Sequence, residues 1–381
     1  MSPSLLDPKF LLLLTGLIAI RPAIPARHYI PFCALGSATL MAVASLPTFL
    51  VISAITLLIL FPLQLSKQRS LLSLGIALMV ALLCLYKIVR QFPVVTTRLV
   101  DEIAAVFGFS YFILRAISFL RIQALAPMTD RRPWPLLYYT LYPSTITSGP
   151  IHKFQDFKTQ LAAPLPFTVA LLQEAVYRIT RGFFRKLVLA YLLDQLSSRM
   201  LAPGNFNVLS STAVITVLYL FFYFDFAGYS DIAIGFGMLL GIKPPENFRK
   251  PFQATTVSEF WRNWHISLVD WFRENVFIPL GGMRGSKKRA AGLALLIMVL
   301  CGAWHGLSVN FLLWGTWHGA ALFTEALAGS KPVPPASRHG PYYLWRVFWT
   351  NARVALPSIL FLPKNDDILA ILKGLTHLGF Y

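Results

Sequence analysis

Long apolar runs recur along this chain, and a helix needs about 20 apolar residues to cross the hydrocarbon of a bilayer. Tyr29 to Leu46, Pro47 to Leu65, Leu71 to Tyr86 and Ile103 to Leu120 approach or reach that length. So do Val208 to Phe224, Ala227 to Ile242, Ala290 to Ala303, Val309 to Ala328 and Leu344 to Leu362. Only 13% of the 381 residues are charged and 56% are apolar, against about 25% charged in an ordinary soluble domain. No single core buries that much apolar surface. A soluble enzyme, a disordered chain and a collagen-like fibre are excluded, which leaves an all-α, polytopic membrane protein.

The net charge of +18 sits in short stretches between the apolar runs, at Arg131-Arg132, Arg178 to Lys186, Lys243 to Lys250 and Arg284 to Arg289. That is the pattern of cytoplasmic loops facing anionic lipid, not of a nucleic-acid site. Cys33, Cys84 and Cys301 lie inside apolar runs and share no spacing motif, so neither a disulfide framework nor a CxxC metal site is expected. Phe10 to Ile20, with no small-residue cleavage site after it, is expected to be a short, retained first membrane segment.

Some segments fit a plain span poorly. Trp134 to Ile151 is interrupted by Pro143, Gly149 and Pro150. Leu165 to Leu196 carries Glu174, Arg178, Arg181, Arg185 and Lys186, with the three arginines at helical spacing on one face of an interfacial helix. Broken backbone at membrane depth survives only where protein buries it or water reaches it. A single domain over 1–381 is therefore expected, a ring of about 9 to 11 tilted, broken and re-entrant helices around a wet tunnel.

The polar residues that carry chemistry fall between 221 and 320. Asp225 and Asp231 stand in an apolar run, where a carboxylate needs a partner or a water-filled cavity; pairing with an arginine or helix capping is the plainer expectation, direct catalysis the sharper one. In SEFWRNWHISL, Ser258 is the expected cap of a helix that places Trp261, Trp264 and His265 at i, i+3 and i+4, on one face. His265 is either a hydrogen-bonded packing residue or a site residue. Trp304-His305-Gly306 ends an apolar run, and Trp317-His318-Gly319 follows thirteen residues on, after a polar break that predicts two helices. A neutral imidazole at His305, kept so by desolvation, suits a catalytic base. The three histidines match no local metal-ligand spacing, and no metal is expected. Cys301 lies one turn before His305, but a small buried thiol is the simpler reading.

Taken in order, FDFAGYSDIAIG, PENFRKPF, SEFWRNWHISL, FIPLGG and WHG resemble the membrane-bound O-acyltransferase family, in its bacterial branch that modifies cell-surface polymers. Ser148-Gly149-Pro150-Ile151 and Gly108-Phe109-Ser110-Tyr111-Phe112 resemble two earlier signatures, and the likeness runs over about 105–380. The alginate O-acetylation and teichoic-acid D-alanylation proteins are the branches it is most similar to. The resemblance implies transfer of an acyl group, acetyl above all, from a cytoplasmic thioester to a hydroxyl of an extracellular polysaccharide. Such a protein is multi-pass in the cell (inner) membrane. The resemblance makes His305 the catalytic base and His265 the second signature histidine. The residues themselves, aromatic or polar beside the two motifs, make Trp261, Trp264, Trp304, His318, Asp225 and Asp231 the substrate- or tunnel-lining candidates. No bound cofactor is implied; the donor is acyl-CoA or an acyl carrier protein, met by Arg284, Lys287, Lys288 and Arg289. A periplasmic or extracellular acyltransferase partner is a further expectation. The rival classes are D-alanyl transfer, a transporter, which internal repeats would accompany, and a scaffold subunit of a polymer complex. Two departures stand out: Cys301 occupies a position where relatives often have glycine, and the chain ends soon after Ile368 to Gly374, where longer relatives add a span.

Overall fold

The computed structural model describes residues 7–91, 106–126, 132–202, 204 and 206–376. Among them the secondary structure is helical, with one isolated β-bridge between Phe248 and Trp264. Among the described residues four helices are long and apolar enough to cross a membrane: Leu46–Leu65, Arg69–Gln91, Val208–Leu239 and Lys287–His305. Only 22% to 28% of their apolar windows is buried against protein, so most of that surface is left for lipid. The residues group into two compact units, 1–181 with 230–246, and 182–229 with 247–381.

The first unit opens with α1 (Pro8–Ile20), started by Pro8 and by the Asp7 carboxylate accepting from the Lys9 and Phe10 N–H groups. α2 (Ala26–Ala44), α3 (Leu46–Leu65), α4 (Arg69–Gln91) and α5 (Phe109–Leu125) follow. Residues 103–105 of the expected Ile103 to Leu120 span, and Arg131, lie outside the described residues. Gly108 begins α5 at φ 69°, where an added Cβ would stand 2.0 Å from the Ile146 carbonyl oxygen, so only glycine fits. The broken segment is short α6 (Trp134–Thr140), a buried loop, and α7 (Phe154–Ala162). Fully buried Arg115 donates to the carbonyls of Tyr139 and Thr140 at the end of α6, as a cation at a helix C-terminus should.

α8 (Val169–Phe183) continues through a wide turn, Phe184–Ala190, into α9 (Tyr191–Leu201). Its apolar side chains Val169, Val176 and Tyr177 are exposed. Its cations are largely engaged by carboxylates. Arg181 grips Asp231 with Nε and Nη2 at 3.0 and 2.5 Å. Arg178 meets Glu246 through both Nη atoms at 3.1 and 2.5 Å.

α10 (Val208–Leu239) corrects one expectation. The runs Val208 to Phe224 and Ala227 to Ile242 are not two spans but one helix of 32 residues, about 48 Å long at 1.5 Å per residue. No proline separates the two runs, and the Asp225 that interrupts the apolar sequence is neutralised by Lys186. In the second unit come α11 (Val257–Asn263), α12 (Ile266–Phe272), α13 (Lys287–His305), α14 (Val309–Ala328), α15 (Gly340–Ala355) and α16 (Asn365–Gly374).

Candidate active site

α13 and α14 form the most extensive helix pair among the described residues, and glycine is the reason. A Cβ on Gly302 would lie 2.2 Å from the Phe311 carbonyl oxygen, and one on Gly315 2.4 Å from that of Met298. Backbone therefore meets backbone, as small-residue interfaces allow. The chain leaves α13 at His305, passes through extended Gly306 and re-enters a helix after Ser308. This is the two-helix break expected from sequence. It places His305 and His318 on separate helices, both packed on the Trp314 indole at ring-centroid distances of 5.3 and 4.8 Å.

His265 arrives by a different device. The expected single helix through Trp261, Trp264 and His265 does not form. α11 ends at Asn263, Trp264 is extended, and His265 is left-handed at φ 46° before α12 begins. The cause is tertiary: Phe248 pairs with Trp264 as a β-bridge, and the Arg249 N–H donates to the Asn263 carbonyl at 3.0 Å. Helix capping also differs from expectation. Thr256, not Ser258, is the N-cap, accepting from the Glu259 N–H at 3.0 Å. Thr256 stands three residues before Glu259, the spacing of a capping box.

The hinge puts the His265 ring edge-on to Phe226 at 4.5 Å and against Trp304 at 6.4 Å. Trp304 in turn contacts His305 at 5.0 Å. Trp261 packs on His318 at 4.9 Å and on Trp314 at 5.6 Å. Three histidines and three tryptophans thus interleave in one aromatic cluster, with Phe311 and Phe361 against His305. His265 Nε2, Trp261 Nε1 and His318 Nδ1 are buried in it with no hydrogen-bond partner among the described residues. Burial, with His305 nearby, pushes the His265 imidazole well below the ordinary histidine range, so it is neutral at pH 7.

Of the residues singled out from sequence, His265, His305, His318, Trp261 and Trp304 come together. Trp264 does not join them; it stacks on Phe260 at 5.3 Å and packs against Tyr219, Tyr223 and Phe248. Asp225 and Asp231 are engaged in ion pairs, with Lys186 and with Arg181 and Arg178. Their carboxylates stabilise helices, the plainer of the two expectations. In the basic loop, Arg289 turns back to the Leu280 and Arg284 carbonyls, and Lys287 donates to the Leu327 carbonyl. Arg284 and Lys288 are exposed beside them. Cys301 is a buried free thiol.

Sequence reasoning passed over several residues that build this site. Trp314 lies one turn before His318, a spacing that pointed to it. Glu325, on α14, accepts the Val257 and Ser258 N–H groups at 2.8 and 3.1 Å and so caps α11 from outside. Glu259 takes hydrogen bonds from Thr255 N–H and O–H and from Arg338. Burial alone would raise its carboxyl, but these donors outweigh it and hold the group below the usual carboxylate range. No local pattern marks these long-range partners.

The chain is 33% identical over 236 residues to the probable alginate O-acetylase AlgI of Pseudomonas syringae pv. tomato, covering 60% of this chain and 44% of that one. It is 33% identical over 255 residues to the teichoic acid D-alanyltransferase of Streptococcus thermophilus, covering 60% and 61%. It is 30% identical over 256 residues to the peptidoglycan O-acetyltransferase of Helicobacter pylori, covering 64% and 46%. The chain thus spans about half the length of the relatives it matches. The model of the membrane-bound O-acyltransferase family matches residues 64–362, which takes in the glycine-packed α13–α14 pair, the hinge and all three clustered histidines. A membrane-embedded helical chain with this match over most of its length belongs to the membrane-bound O-acyltransferase family.

Proposed function

We propose that the chain transfers an acyl group, acetyl first among them, from a cytoplasmic thioester to a hydroxyl destined for an extracellular polysaccharide. The observation that carries this reading is the meeting of His265 and His305 on Trp304 inside a buried aromatic cluster. His305 takes the proton of the acceptor hydroxyl as its oxygen attacks the thioester carbonyl. The tetrahedral intermediate expels the thiolate, which recovers a proton. General-base help of this kind contributes about 10²- to 10⁴-fold. His265, neutral and with an unpartnered Nε2, orients the acceptor or donates to the oxyanion, a contribution of about 2.7 to 4 kcal/mol. Unpaired buried polar atoms are costly, and a bound hydroxyl or carbonyl would satisfy those of His265, Trp261 and His318.

The donor is acyl-CoA or an acyl carrier protein, whose long arm enters a tunnel from the cytoplasmic side; exposed Arg284 and Lys288 suit its negative charge. The acceptor is the polymer or a periplasmic partner that completes transfer, and the setting is the cell inner membrane. The match across 64–362 supports one acyltransferase domain built from both units. D-alanyl transfer is the second reading, favoured by the similarity to a teichoic acid D-alanyltransferase.

The test is release of acetate by mild base from envelope polysaccharide of a deletion strain complemented with wild type or with His305→Ala. Acetate restored by wild type alone is the expected result. Restoration by both variants would overturn the catalytic assignment and favour a transporter or scaffold. D-alanine released in place of acetate would select the second reading.

A further inference from the structure

The hinge that aims His265 is conformationally costly. A histidine at φ 46° occupies the left-handed region that side chains with a Cβ avoid, and such strain persists only where surroundings enforce it. The enforcing residue is identifiable. Asn247 is fully buried, and both of its oxygens bind the two residues that follow His265. Its main-chain carbonyl accepts the Ile266 N–H at 3.0 Å. Its side-chain Oδ1 accepts the Ser267 N–H at 3.3 Å and the Ser267 hydroxyl at 2.7 Å. On the near side, Phe248 and Arg249 pair with Trp264 and Asn263. His265 is thus bracketed by bonds to 247–249 on both flanks, while its own ring packs on Phe226 and Trp304.

We propose that Asn247 is the positioning residue for His265, its side chain pinning the start of α12 so that the left-handed hinge aims the imidazole into the aromatic cluster. The inference rests on the acyl-transfer reading for its consequence in catalysis, but not for its structural content. Asn247 touches no reacting atom here; it acts through the backbone of Ile266 and Ser267.

The experiment uses the full chain in native membranes, with two readouts. Modification of each histidine by diethyl pyrocarbonate is followed by mass spectrometry, and ester release from the envelope polymer is measured in the same strains. Asn247→Ala is expected to speed labelling of His265 about tenfold through local opening, with His318 unchanged, and to lower ester content at least tenfold. Asn247→Asp keeps an acceptor oxygen facing Ser267 and is expected to rescue both readouts to within about threefold. Ser267→Ala removes one of the three bonds and stands between, and it serves if Asn247→Ala fails to accumulate. Equal acceleration of His265 and His318 would mean a general packing defect and overturn the proposal. So would wild-type labelling and activity in Asn247→Ala. An active His305→Ala strain would instead sink the acyl-transfer reading, while the labelling ratio would still decide the role of Asn247.

Discussion

Gly302→Ala adds one methyl group at the closest approach of α13 and α14, three residues before His305. The new Cβ would start 2.2 Å from the Phe311 carbonyl oxygen and 3.1 Å from its carbon. Ordinary non-bonded contact needs about 3.5 Å, so the two helices must part by about 1 Å. The obstacle is backbone on both sides, so no side chain can swing away. Overpacking of this kind costs about 1 to 3 kcal/mol. The larger effect falls on geometry: His305 moves with α13 and His318 with α14, and a misplacement of about 1 Å costs on the order of 10²-fold in rate. Gly292→Ala is the control on the same helix, where the added Cβ meets nothing within 4 Å. It is expected to be neutral or stabilising by less than about 1 kcal/mol. Ester content of the envelope polymer reads the first effect, and the thermal midpoint of the detergent-purified protein reads the second. Equal behaviour of the two alanine variants would refute the claim that helix contact sets the catalytic geometry.

Glu325→Ala leaves the first two N–H groups of α11 without their carboxylate acceptor; a loss of about 1 to 2 kcal/mol in thermal unfolding is expected, with Glu325→Gln milder, and an unchanged midpoint would count against capping from α14. His152, in the loop before α7, is buried, and desolvation first of all pulls its imidazole down to about 4, the Lys243 carbonyl contact opposing this. Because the folded value lies below the unfolded one, its contribution is complete above about pH 6.5 and is lost as pH falls towards 4, at about 1.4 kcal/mol per pH unit. His152→Gln should flatten the stability profile across that window, and an unaltered slope would assign the pH dependence to other groups.

How much of this was legible depended on the range of the forces involved. Apolar runs gave the helices because lipid leaves the backbone little choice, and the Ser308-Asn310 break correctly separated the helices of His305 and His318. Asp225 and Asp231 announced themselves as charges needing partners, and the partners were the helically spaced cations of 178–186. The sequence SEFWRNWHISL, by contrast, contains no glycine or proline, and its helical spacing is unbroken. Nothing local forecasts that Trp264 leaves the helix, because the bridge to Phe248 imposes it from sixteen residues away. The same held for the α10 runs, read as two spans on either side of Asp225, whose partner Lys186 lies 39 residues away.

A buried histidine in an apolar surround faces a conflict: the desolvation that keeps it neutral also removes the hydrogen bonds that would fix its orientation. The His265 ring has packing contacts but no partner at Nε2. Orientation must then come from the main chain, which is where the bonds of Asn247 and the Phe248–Trp264 bridge are concentrated. The helix that carries His305 is fixed in a related manner, by the close backbone contacts at Gly302 and Gly315. In both cases rigidity resides in backbone contact one step removed from the imidazole, and under the proposed acyl transfer the Nε2 of His265 is the atom left to substrate. That division explains why the motif histidines were readable as chemistry while the residues that aim them were not.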